Sequence, residues 1–194
     1  MRRSLLVLWI FVMLAGGCAG GSAAAAGPRP SSPFSDADSK LFEDGVDFVA
    51  DPAVLGGRWA EDSESEAFAR IDAADVIALI TVNTLRTDID PQQRTNYGLG
   101  LNVAEKLKGA FVVDATLTVS GDAQGFASID RDRQRLLSER FVVFVKWYAK
   151  PDGIVAGHFH LTIASPVVLE QVRSRLHGSR PSNNIIIERR VSAP

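Results

Sequence analysis

The chain has 194 residues, 23 acidic against 21 basic side chains, a net charge of −2 and a single cysteine. The charge balance excludes the broad basic surface that nucleic acid requires, and one cysteine excludes an internal disulfide. The length allows one domain of about 150 residues with its own core, beyond a short leader.

The leader is legible at once. Arg2 and Arg3 precede an apolar run from Leu5 to Leu14, and Ala15, Gly16, Gly17 and Cys18 follow. A basic start, a short apolar core and small residues make a secretory signal peptide. The run is about half the roughly 20 residues that a spanning helix needs. The small residues ending in cysteine resemble the lipobox of bacterial lipoproteins, with Ala15 where leucine is usual and Leu14 one place further back. The resemblance implies removal of residues 1–17, a diacylglycerol on the Cys18 thiol and acylation of the new amino end. Two or three acyl chains anchor a protein stably, whereas one is marginal. By the same resemblance, Ala19 in place of aspartate favours the outer membrane, facing the periplasm. Cleavage within Ala23–Ala26 instead would release a soluble, secreted chain. Removing residues 1–17 takes away two basic residues and no acidic ones, so the net charge falls from −2 to −4.

Residues 18–35 are rich in Gly, Ala, Ser and Pro and read as a flexible tether; residues 36–194 read as one domain. Its lead-in, 36–73, is acidic. Leu41, Phe42, Val46 and Val49 recur at helical spacing and predict a short helix before Pro52. Gly56-Gly57 marks a turn, and Ser63-Glu64-Ser65-Glu66 fits a capping box that starts a second helix with Phe68 and Ile71 inward.

The β core spans 74–163. Val76 to Arg86 begins as a buried strand, and Asn96–Leu107 and Val113–Ser120 alternate as half-buried strands. Gly121 to Gly125 and Asp130 to Arg135 read as a long polar loop. Pro151-Asp152-Gly153 is a strong turn signal. A three-residue loop there sets a hairpin register: Val145 opposite Phe159, Val143 opposite Leu161, Phe141 opposite Ile163, and Trp147 over Gly157. Residues 165–178 form a helix capped by Ser165, opened by Pro166 and ended by Gly178. The tail, 179–194, holds a candidate short strand, Ile185-Ile186-Ile187.

Five strands with few helices predict a mainly β, α+β domain: a small antiparallel OB-like barrel or curled five-stranded sheet with a C-terminal helix. Three motifs, Ala74-Asp75-Val76, Lys106-Leu107-Lys108-Gly109 and Glu139-Arg140-Phe141, resemble those of OB-like domains in envelope proteins and in the netrin and tissue-inhibitor families. Protease inhibition is not carried over, because the disulfides are absent and the amino-terminal cysteine would be blocked by lipid.

His158 and His160 share one face of a strand and are the candidate metal ligands. The counted register puts His158 opposite Lys146 and His160 opposite Phe144, neither of which is a ligand or an orienting carboxylate. Two surface histidines and no metal or other cofactor are therefore expected, with a ligand from the strand on the other side left open. Val142, Phe144 and Tyr148 share this face and are expected to pack under the acidic helices. Asp88 and Asp90 before Pro91 read as a solvated turn. No catalytic or phosphate-binding motif occurs, so no catalytic residue is named. The expectation is a non-enzymatic, lipid-anchored envelope protein, bound to membrane lipid through Cys18 and to another envelope protein through its domain. Small-ligand or metal binding and an undetected hydrolase are the alternatives.

Overall fold

The computed structural model describes residues 33–110, 116–150 and 155–178. Cys18, the tether up to residue 32, the Pro151–Gly153 turn and the tail from 179 lie outside the described residues. The elements run α1 (Asp36–Leu41), β1 (Gly45–Asp47), a 3-10 helix (Pro52–Leu55), α2 (Gly57–Ala73), β2 (Val76–Ile89), β3 (Thr95–Lys108), β4 (Thr116–Val119), α3 (Phe126–Arg131), α4 (Arg133–Ser138), β5 (Arg140–Ala149), β6 (Val155–Ile163) and α5 (Pro166–Leu176).

The six strands form one mixed sheet in the order β1-β6-β5-β2-β3-β4. β1 runs parallel to β6, and every other pairing is antiparallel. This overturns the expected OB-like barrel. Closure would require the two edge strands to pair, but β1 and β4 stand at opposite ends of the order. The three motifs lie on or beside the neighbouring strands β2, β3 and β5 but do not come together: Val76 pairs with Val145, whereas Arg140 pairs with Thr81, five residues along β2. They build the centre of an open sheet with helices on both faces, an α+β arrangement.

Both faces of the sheet carry an apolar cluster packed against helices. On one, Phe141, Val143, Val145, Phe159 and Leu161 pack with Ile129 of α3 and Leu136 of α4. On the other, Ile77, Val142 and Phe144 pack with Phe42, Ile71 of α2 and Val168 and Val172 of α5. Each such side chain contributes about 1.5–3 kcal/mol relative to exposure.

The β5–β6 register is as counted: Val145 pairs with Phe159, Val143 with Leu161, Phe141 with Ile163 and Lys146 with His158. Gly157 lies under Trp147, and a Cβ there would sit 2.7 Å from the ring. α5 is capped by the Ser165 side chain, which accepts from the Val168 N–H, with Pro166 in its first turn.

Three local readings are corrected. The helix expected through Val49 stops at Leu41, and Val46 lies in β1. Asp44 adopts φ 59°, which turns the chain out of the helix, and β6 is waiting to pair with it. The helix expected to start at Ser63 starts at Gly57, because nothing between them breaks it; Ser63 is mid-helix. The loop expected at 130–135 is mostly helical, with α3 and α4 burying Ile129 and Leu136 fully. Those two apolar residues, seven apart among charges, anchor it.

Two cations finish helix ends. Lys108 Nζ donates to the carbonyls of Ile71 and Asp72 at the end of α2, and Arg70 Nε donates to the Leu41 carbonyl at the end of α1. Both supply the donors that terminal carbonyls lack and suit the negative end of the helix dipole.

Candidate functional site

β1 decides the surroundings of both histidines. It adds to the free edge of β6, pairing Gly45 with His160 and Val46 with Leu161. Its position depends on a close backbone approach. Val46 N–H donates to Ser128 Oγ, and Gly125 N–H to the Glu43 carbonyl. A Cβ on Gly125 would lie 2.3 Å from Gly45 Cα, so only glycine fits. The lead-in to β1 thereby delivers two carboxylates, Glu43 and Asp44, to the two histidines.

His158 Nδ1 donates to Asp44 Oδ2 at 2.7 Å, while Asp44 Oδ1 accepts from the Phe159 N–H at 2.9 Å. The His158 ring contacts both Phe34 and Tyr148, with centroids 4.3 and 4.8 Å away, and those two rings also meet each other at 5.1 Å. Burial, then the charge of Asp44, pushes the Tyr148 phenol up.

His160 is only 3% exposed, and neither ring nitrogen makes a hydrogen bond to any described residue. Its Nδ1 lies 3.4 Å from Glu43 Oε1, close but poorly aligned. Burial pushes the imidazole below its ordinary value, and the Arg70 charge adds to this against the opposing pull of Glu43. Burial alone would raise the Glu43 carboxyl, but His160 and Arg70 outweigh it and hold it below the usual glutamate range.

The surface reading is therefore overturned for His160, while His158 stays partly exposed with its side chain at 29%. Their face of the sheet was placed correctly, but α1, α2 and α5 cover it. Lys146, opposite His158, is likewise only 5% exposed, with Nζ 3.5 Å from Asp75 Oδ1. The carboxylates come from Glu43 and Asp44, which lead into β1, the strand on the other side. Each histidine faces a different one, and among the described residues no group of three or more His, Cys, Asp or Glu side chains is placed to hold a metal ion. Asp88 and Asp90 lie at the β2–β3 turn. Asp90 Oδ1 accepts from the N–H groups of Gln92 and Arg94, and Oδ2 pairs with Arg94 Nε.

His160 opens onto a cavity of about 190 Å³ between β6, α2 and α5. Its polar lining includes Glu43, Asp47, Glu66, Arg70, Thr162 and Gln171; Ile71, Phe144, Val168 and Val172 form an apolar wall. Arg70 is 8% exposed, yet its only hydrogen bond to a described residue is from Nε to Leu41, and no described carboxylate lies within 4.0 Å. Its Nη groups make no hydrogen bond to any described residue, and Arg70 lines the cavity. Burial lowers the Arg70 pKa against the opposing charges of Glu43, Glu66 and Asp47.

The sequence reading missed this cavity. Part of its signal was present: Ser63, Glu66, Ala67 and Arg70 recur at helical spacing on one face of α2, as do Val168, Gln171 and Val172 on α5. Nothing local joins those faces to His160. No family model and no curated protein matches this chain.

Proposed function

We propose that the chain is a lipid-anchored cell-envelope protein, held through Cys18 at the outer membrane and facing the periplasm, whose domain is a non-catalytic interaction module for another envelope protein. The observation that carries the anchor is the run from Arg2 to Cys18, a signal-peptide pattern ending in a lone cysteine after small residues. The Gly/Ala/Ser/Pro composition of 19–35 supports a tether between lipid and domain. The interaction part is supported by Val54, Leu55 and Trp59, large apolar side chains left exposed close together in sequence on the 3-10 helix and the start of α2; Trp59 is 75% exposed. Tryptophan is enriched where proteins meet.

The test is metabolic labelling with a palmitate analogue, combined with a photo-crosslinking residue at position 59. The reading expects label in the native chain, none in Cys18→Ser, and a discrete crosslinked species only from the membrane-held chain. Equal labelling of Cys18→Ser, or no crosslinked protein in intact cells, would overturn the corresponding half.

A further inference from the structure

The cavity beneath α2 and α5 holds an unusual balance of unmet groups. His160 is buried with neither ring nitrogen in a hydrogen bond, although its Nδ1 lies 3.4 Å from Glu43 Oε1. Arg70 presents Nη donors that no described acceptor takes up, although Glu66 lies one helical turn away on the same face of α2. Leaving a buried imidazole without a hydrogen bond costs about 1–3 kcal/mol, so its retention beside the uncommitted guanidinium of Arg70 points to an occupant of the cavity. With His160 neutral, the lining carries Glu43, Asp47 and Glu66 against Arg70, a net charge of −2.

That balance sorts ligand classes. A simple anion would satisfy Arg70 but meet three carboxylates. A simple amine would suit the carboxylates and leave the guanidinium unpaired. A metal ion finds no three-ligand set here. A molecule with a carboxylate and an ammonium a few bonds apart satisfies both, because a guanidinium receives a carboxylate in a two-pronged fork. The wall of Ile71, Phe144, Val168 and Val172 then calls for an apolar side chain. The volume, about 190 Å³, lies below the roughly 300–1,000 Å³ of drug-sized sites. We propose that this cavity binds a small aliphatic amino acid, its carboxylate on Arg70, its ammonium toward Glu66 and Glu43, and its side chain against α5. The His160 ring borders the bound molecule and reports its arrival. This site is independent of the anchor at Cys18.

The experiment uses the purified full-length chain with ¹⁵N-labelled histidine, whose three residues give separable ring signals. Alanine, valine, leucine, isoleucine and methionine are titrated to millimolar concentration, each beside its amine-only and acid-only counterpart, with melting temperature followed in parallel. At least one amino acid should shift the His160 ring signals and raise the melting temperature in a saturable way. Its amine-only and acid-only counterparts should bind about tenfold more weakly or worse, since each forfeits one charge pair. Glu66→Gln, at an exposed position with no ion pair within 4.0 Å, should melt like the parent and bind the amino acid several-fold more weakly. No response of His160 to any of the five would overturn the proposal. So would equal binding of the acid, which would make this an anion site, equal binding of the amine, which would make it a cation site, or unchanged binding in Glu66→Gln.

Discussion

Asp44 ties the start of β1 to β6 through both its backbone and its side chain. Its carboxylate is buried and accepts from the Phe159 N–H at 2.9 Å and from His158 Nδ1 at 2.7 Å, while its backbone sits at φ 59°. Asp44→Ala leaves the Phe159 N–H, within the β1–β6 junction, without its side-chain acceptor, at about 1–3 kcal/mol. The lost His158 bond costs less, because that ring is partly exposed and water can replace the acceptor. Alanine also tolerates positive φ less well than aspartate, adding up to about 1 kcal/mol. The total is about 2–4 kcal/mol, or several degrees in melting temperature at roughly 3 °C per kcal/mol for a domain of this size. Asp44→Gly loses the same hydrogen bonds but relieves the backbone, so it should be milder than alanine by about 1 kcal/mol. Asp44→Asn keeps one acceptor and tolerates positive φ, while His158 can change tautomer to accept from the amide; it should be mildest, near 1 kcal/mol. Urea unfolding of the three variants gives the order directly. Glycine proving worse than alanine, or alanine costing under 1 kcal/mol, would refute the role assigned to Asp44.

Other consequences are as direct. Lys146→Glu sets a second carboxylate beside Asp75 at a site only 5% exposed, so it should destabilise by about 3–5 kcal/mol in denaturant titration, the range for breaking a buried pair; a neutral or stabilising result would mean the face is open. Gly125→Ala drives a Cβ into the Gly45 backbone and should cost about 1–3 kcal/mol or more by the same assay. The pH profile follows from His160. Because its folded pKa lies below the ordinary 6.5, the unfolded chain binds the proton first, and stability is complete above about 6.5 and falls as pH drops toward the folded value. His160→Gln should flatten that limb of the stability–pH curve. Glu43, whose folded value lies below 4.5, adds a separate loss only at lower pH.

How much of this was legible in the sequence depended on how local each determinant is. The β5–β6 register followed from one turn and the apolar pattern on either side, and α5 from Ser165, Pro166 and Gly178; both are short-range signals. β1 was not legible. It has three residues, and its partner lies more than a hundred positions away, so its only local trace is the Glu43-Asp44-Gly45 sequence that breaks the helix. α3 and α4 were hidden because two six-residue helices rich in charge, each with one buried apolar residue, show no periodicity. The histidine face shows the same division. Alternation settled which residues share a side, but how far the helices cover that side is a tertiary matter, and it turned Lys146 and His160 from expected surface groups into buried ones while His158 stayed partly exposed. The expected barrel failed for a related reason: strand patterns specify neighbours along a sheet, whereas closure depends on whether its two edges meet.

The central claim is that this domain works from a lipid anchor. It is tested most directly by the intact mass of the protein extracted from membranes. The account predicts a chain beginning at Cys18 that carries the added mass of a diacylglycerol and an amide-linked acyl group. A mature chain beginning near Gly27, with no lipid mass, would contradict it and make the protein a soluble secreted one.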